Sequence, residues 1–235
     1  TPPPATRPTN SSPIALHASS RRVWTANPDS DTISAVHADT LAKVAEFNLN
    51  TMLGVVGAVD PRNVAVDASG NIWVTCHKAD RIAVVSPSGA LVRQIDTGYG
   101  SAPFGVAISP NGASAYVTLY GRGSGAQPAN GALVRYNTST GAETGRIELG
   151  PTPRAIAVTA NGNRVLVTRF ISDPNFGQVW DVNASSATAL TLTRTIPLQR
   201  NHNGDSAFNS RGVPNFLSTI AINPDGTHAW FTAVK

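Results

Sequence analysis

Apolar and polar residues alternate along most of this chain with a period of two, and turn residues punctuate the alternation. Four stretches align almost residue for residue: PRNVAVDASGNIWVT (61–75), PFGVAISPNGASAYVT (103–118), PRAIAVTANGNRVLVT (153–168) and STIAINPDGTHAWFT (218–232). A weaker fifth copy, PIALHASSRRVWTA, covers 13–26. Each copy holds an apolar–Ala–apolar triplet, centred on Ala15, Ala65, Ala107, Ala157 and Ala221. A tight turn follows: Ser19-Ser20, Ser69-Gly70, Asn111-Gly112, Asn161-Gly162 or Asp225-Gly226. The pattern resumes on a large apolar residue, Trp24, Trp73, Tyr116, Leu166 or Trp230. Period-two alternation on both sides of such a turn predicts a β-hairpin.

A second strand pair follows each hairpin. RIAVVSP and ALVRQIDTG flank a Ser-Gly turn, and ALVRYNT and ETGRIELG flank Ser-Thr-Gly. Each unit is therefore a four-stranded antiparallel meander. The alanine-to-alanine steps are 50, 42, 50 and 64 residues. Four-stranded units of that length predict an all-β fold, a β-propeller. Blades converge towards the axis, so a small side chain suits the crowded innermost strand. The expected blades are 14–60, 61–102, 103–152, 153–213 and an incomplete 214–235, after a Pro/Thr/Ser-rich linker over 1–13. That is about four and a half blades of an expected seven, so the chain is expected to be part of a longer propeller.

Composition removes the competing classes. Charged residues make up 14% of the 235, against about 25% on average, and 41% are hydrophobic. Glu and Lys are scarce, so a helical bundle is excluded. The one cysteine, Cys76, excludes a disulfide framework and a cysteine zinc cluster. It is expected to be packed in the core. No apolar run is long enough for a membrane-spanning helix.

The segment VWTANPDSDTISAVHADTLAKV (23–44), with Trp73-Val74-Thr75 and Tyr116-Val117-Thr118, resembles the YVTN family of β-propeller repeat proteins. The resemblance covers about 14–235. It implies a seven-bladed fold and a secreted, periplasmic or cell-surface bacterial protein that binds ligands or partners without catalysis. A related propeller group contains lactone hydrolases, the alternative activity. RGVPNFL (211–217) is similar to large secreted propeller proteins that continue into further domains, some carrying c-type haem. This suggests a further alternative, an interaction module of a larger redox protein. No Cys-x-x-Cys-His occurs here, and no cofactor is expected.

Loop lengths point to one face. Strand 2–3 loops and blade-to-blade connections share the face called the top, and 121–131, 171–177 and 199–213 are all expected there. The opposite face is expected to carry tight turns. Long loops on a rigid scaffold commonly carry function. Each inner strand follows a proline (Pro61, Pro103, Pro153, Pro214), which sets Arg62, Phe104, Arg154 and Asn215 at the channel mouth. Top loops add His77, Lys78, Tyr120, Arg122, Arg169 and His202. The set forms a cationic funnel with aromatic walls, suited to an anionic small molecule, a glycan or a protein; nucleic acid fits less well, because the basic residues are not densely clustered. The alternative is ordinary arginines paired with Asp60, Asp80 or Asp173. Asn27–Asp31 lacks the Gly and Glu of a calcium loop and reads as an Asx turn. The histidines lack metal-ligand spacing, and no catalytic residue and no metal ligand is assigned.

Overall fold

The structure, a computed structural model, describes residues 9–122, 129–200 and 212–234. Among these residues, eighteen strands form five antiparallel sheets, ordered along the chain around a common axis. Blade 1 holds β1 (Ile14–His17), β2 (Arg22–Asn27), β3 (Thr32–His37) and β4 (Lys43–Asn48). Blade 2 holds β5 (Pro61–Val66), β6 (Ile72–Cys76), β7 (Arg81–Val85) and β8 (Leu91–Asp96). Blade 3 holds β9 (Pro103–Ile108), β10 (Ser114–Leu119), β11 (Asn130–Asn137) and β12 (Glu143–Pro151). Blade 4 holds β13 (Pro153–Val158), β14 (Arg164–Arg169), β15 (Phe176–Asn183) and β16 (Thr191–Gln199). The fifth sheet has two strands, β17 (Asn215–Ile222) and β18 (Ala229–Val234). The first strand of each sheet is innermost.

The repeat pairs with itself. Ala15 lies opposite Trp24, Ala65 opposite Trp73, Ala107 opposite Tyr116, Ala157 opposite Leu166 and Ala221 opposite Trp230. The small residue and its large neighbour cover one face of the blade together. Ala65 and Trp73 pack with Val106, Ile108 and Val117 of blade 3, while Val64, Val66 and Val74 pack back against blade 1. The core is thus a series of interblade layers. In the fifth sheet the equivalent pair is uncovered, and Trp230 is 60% exposed.

A threonine in the same repeat ties each blade to the next. The Thr75 hydroxyl accepts from Asn63 N–H (3.0 Å) and donates to the Phe104 carbonyl of blade 3 (2.6 Å). Thr118 accepts from Gly105 N–H (2.8 Å) and donates to the Arg154 carbonyl (2.7 Å). Thr168 accepts from Ala155 N–H (3.1 Å) and donates to the Leu217 carbonyl (2.9 Å). All three are fully buried. Removing one hydroxyl would leave a buried N–H unsatisfied, at ~1–3 kcal/mol. Gly105 is required here, since a Cβ would lie 2.4 Å from the Arg154 oxygen.

The bottom turns match expectation in kind. Gly70, Gly112, Gly162 and Gly226 all have positive φ, as their turns demand. Two connections differ from the sequence reading. The blade 1–2 connection forms a short helix, α1 (Leu49–Leu53), capped by the Asn48 side chain, which accepts from Thr51 N–H at 2.9 Å. Leu49 and Leu53 pack into the first interblade layer. The bottom face also carries a seven-residue connection between β15 and β16, so not every long loop lies on top. The Asn27–Asp31 segment contains a short 3-10 turn. Asp31 does not close an Asx turn; its carboxylate accepts from Val59 N–H (3.0 Å) and Asp60 N–H (2.7 Å), fixing the entry to blade 2.

Candidate functional site

The site is assembled from two repeat positions. One is the residue after the proline that opens each inner strand: Arg62, Phe104 and Arg154. The other lies two residues beyond the clasping threonine: His77, Tyr120 and Phe170. Strand geometry brings both to the same end of each blade, so adjacent blades interleave them. Ring centroids are 5.6 Å apart for His77–Phe104, 5.8 Å for His77–Tyr120 and 6.2 Å for Phe104–Tyr120. The row continues at 6.4 Å from Tyr120 to Phe170 and 5.2 Å from Phe170 to Phe216. The backbone that aims these residues is unusual. Asp60, Ala102 and Thr152, each immediately before the proline, have φ of 56°, 49° and 59°. Non-glycine residues rarely adopt that region, least of all a β-branched one.

Arg154 is the centre of the row. Its guanidinium carbon lies 4.2 Å from the Phe104 centroid and 3.7 Å from that of Phe170. Cation–π contacts contribute ~0.5–2 kcal/mol each. No carboxylate or other acceptor pairs with it among the described residues, and its Nε is buried without a partner. Burial pushes its pKa down, Tyr120 opposes this, and Arg62 adds to the depression. Burial likewise raises the Tyr120 phenol. It lowers the half-buried His77 imidazole, helped by Arg62, against Asp60. His77 Nδ1 is also buried and unpartnered.

The other predicted residues are placed differently. Arg62 donates to Asp60 at 2.7 Å, and its guanidinium lies 5.8 Å from the Phe104 ring. Arg122 pairs with Asp80 and donates to the carbonyls of His77 (3.4 Å) and Lys78 (3.3 Å). Arg169 donates to the Ile171 carbonyl at 2.8 Å and to Gln178. Asn215 accepts from Ser172 N–H (2.8 Å) and Phe216 N–H (2.9 Å). Lys78 is exposed. His202 lies outside the described residues. The structure thus gathers Arg62, His77, Phe104, Tyr120 and Arg154, and leaves Lys78, Arg122, Arg169 and Asn215 outside that row, the last two at the ends of β14 and β17. Asp173 caps a local turn to Asn175 and meets no arginine among the described residues. Phe170 and Phe216 were missed, although repeat register alone places Phe170 level with His77 and Tyr120. Cys76, beside His77, is fully buried in the core and its thiol is pushed up to about 12 by burial.

Arg62, Phe104 and Arg154 line a cavity of about 330 Å³ at the channel mouth, walled on its other sides by Asn10–Pro13 and by Ser218 and Thr219. A larger cavity, about 460 Å³, opens on the bottom between blades 3 and 4. Its cation, Arg135, is already engaged by the carbonyls of Ser186 (2.6 Å), Ala187 and Thr144. The smaller cavity holds the arginine without an acceptor and is therefore the candidate site. Among the described residues no three His, Cys, Asp or Glu side chains could share a metal ion, and no helix is long and apolar enough to cross a membrane.

No family model and no curated protein matches the chain. Solved structures do. Hydrazine synthase of Kuenenia stuttgartiensis superposes with a TM-score of 0.70 at 18% identity, over 94% of this chain and 60% of that one. Selenomethionine-substituted virginiamycin B lyase of Staphylococcus aureus gives 0.65 at 16%, over 98% and 65%. The Cps50 (Swd1) β-propeller domain of Myceliophteria thermophila gives 0.62 at 12%, over 97% and 63%. The fold is a β-propeller. This chain spans 60 to 65% of the length of those three. At such identities the likeness shows the fold alone.

Proposed function

We propose that this propeller is a non-enzymatic binding scaffold of the YVTN-repeat type, acting outside the cytoplasm, whose top-face mouth takes an anionic group of a small molecule, glycan or protein. The setting outside the cytoplasm rests on the family resemblance. The ligand class rests on one observation: Arg154 is held between two phenyl rings at the cavity wall, with no acceptor of its own among the described residues. A guanidinium desolvated on both faces keeps its edge for hydrogen bonds, and carboxylates and phosphates match that edge. Titration of the full chain at low salt with succinate and with inorganic phosphate tests the proposal. At least one should bind, and Arg154→Met should weaken that binding at least tenfold. Absence of binding by both, or binding that survives the substitution, refutes it.

His77 supports a second reading. Burial holds its imidazole below the ordinary pKa, and one ring nitrogen is unpartnered in the same row, an arrangement that suits a general base. Hydrolysis of a simple lactone that is abolished by His77→Asn would replace the scaffold reading with an enzymatic one.

A further inference from the structure

We infer that the central channel is a binding site for an extended four-residue peptide strand with a hydroxyl side chain at its third position, and that residues 9–12 of this chain occupy it in cis. An innermost strand has an unpaired edge, and its backbone groups need partners. On β13 those partners come from the segment ahead of β1. Val158 N–H donates to the Thr9 carbonyl at 2.7 Å, Ser11 N–H donates to the Ile156 carbonyl at 2.8 Å, and Asn10 stands directly opposite Ala157. On blade 2, two blades away, Val64 N–H donates to the Ser12 carbonyl at 2.9 Å. The segment therefore enters at the bottom, rises through the channel and bridges two inner strands. Pro13, which has no N–H, precedes the turn into β1.

The pairing reads a side chain as well as a backbone. In an ordinary antiparallel pair Ile156 N–H would meet a carbonyl; here it donates to the Ser11 hydroxyl at 2.8 Å. Ser11 is 5% exposed, so a residue without an acceptor there would leave the Ile156 N–H buried and unpaired. Strand addition with one side chain recognised in a pocket is an established mode of peptide binding. The inference does not depend on an anion binding at Arg154, although Asn10–Pro13 wall the same cavity.

The test compares the full chain with its Ser11→Pro variant, which removes both the N–H and the hydroxyl. The probe is a fluorescently labelled peptide of residues 6–14, TRPTNSSPI. In the variant, the amides of Val64, Ile156 and Val158 should exchange at least tenfold faster, and added peptide should restore their protection. The peptide should bind the variant at least tenfold more tightly than the unaltered chain, whose own segment competes at high effective concentration. Alanine in place of the peptide's first serine, the counterpart of Ser11, should weaken binding about tenfold. Equal binding to both chains, or none to the variant, overturns the inference. If Ser11→Pro does not fold, Ser11→Ala serves: faster exchange confined to the Ile156 amide supports the inference, and unchanged exchange overturns it.

Discussion

Arg62 and Arg154 each follow the proline that opens an inner strand, β5 in blade 2 and β13 in blade 4. Their backbones are equivalent, both strands pair with the segment in the channel, and both side chains reach the same cavity. They differ in the residue two positions earlier. In blade 2 it is Asp60, which takes the Arg62 guanidinium at 2.7 Å. In blade 4 it is Thr152, whose hydroxyl accepts from Ile171 N–H instead, at 3.0 Å. Arg62 is therefore held by an internal counter-ion, and Arg154 is left to Phe104 and Phe170. A repeat fold makes such a difference legible. The scaffold repeats, so a departure at one blade isolates the side chain that sets the local chemistry.

The largest expected effect separates the two arginines directly. Arg154→Met should lower affinity for the bound anion at least tenfold, while Arg62→Met should change it less than twofold, both measured by calorimetry at low salt. Equal losses would mean that the two act as one funnel and that Asp60 does not neutralise Arg62. Transplanting the counter-ion comes next. Thr152→Asp should give Arg154 an internal partner and weaken the anion about three- to tenfold. Asp also tolerates the left-handed backbone better than a β-branched residue, so the melting temperature should not fall. The reverse exchange, Asp60→Asn, releases Arg62 and should strengthen binding two- to threefold, an effect that salt should suppress.

Much of this was legible in the sequence, for a physical reason. Hairpin turns, the alanine facing a large residue and the proline before each inner strand are local signals, and repetition multiplies them. They fixed the blades and set Arg62, Phe104, Arg154, His77 and Tyr120 at one mouth. Which arginine is free was not legible, because it depends on whether a side chain two residues away turns towards it. Phe170 could have been found, since it stands two residues after Thr168 as Tyr120 stands after Thr118. The helix after β4 could not, because five residues carry too short a period to read. The Pro/Thr/Ser-rich opening read as a linker by composition, yet Thr9–Ser12 are bonded to two inner strands. Composition does not record that an inner strand leaves backbone groups seeking a partner.

The smallest effect tests how far each arginine reaches. Arg62 is among the groups that depress His77, after burial itself, and Arg154 is not, whereas Arg154 acts on Tyr120. Arg62→Met should therefore raise the His77 pKa, followed by NMR titration of its ring, and Arg154→Met should leave it where it is. The same group gives stability a pH dependence of known sign. With His77 depressed in the folded chain, the unfolded chain takes up the proton first as pH falls through about 6.5. Between that value and the lower folded one the unfolded state binds more protons, so stability should decline with falling pH across this window. His77→Asn should remove that part of the slope and Arg62→Met should shrink it. A slope unchanged by Arg62→Met, with His77 still titrating low, would show that Arg62 does not set the histidine. The two arginines would then differ only in their counter-ion and not in their reach.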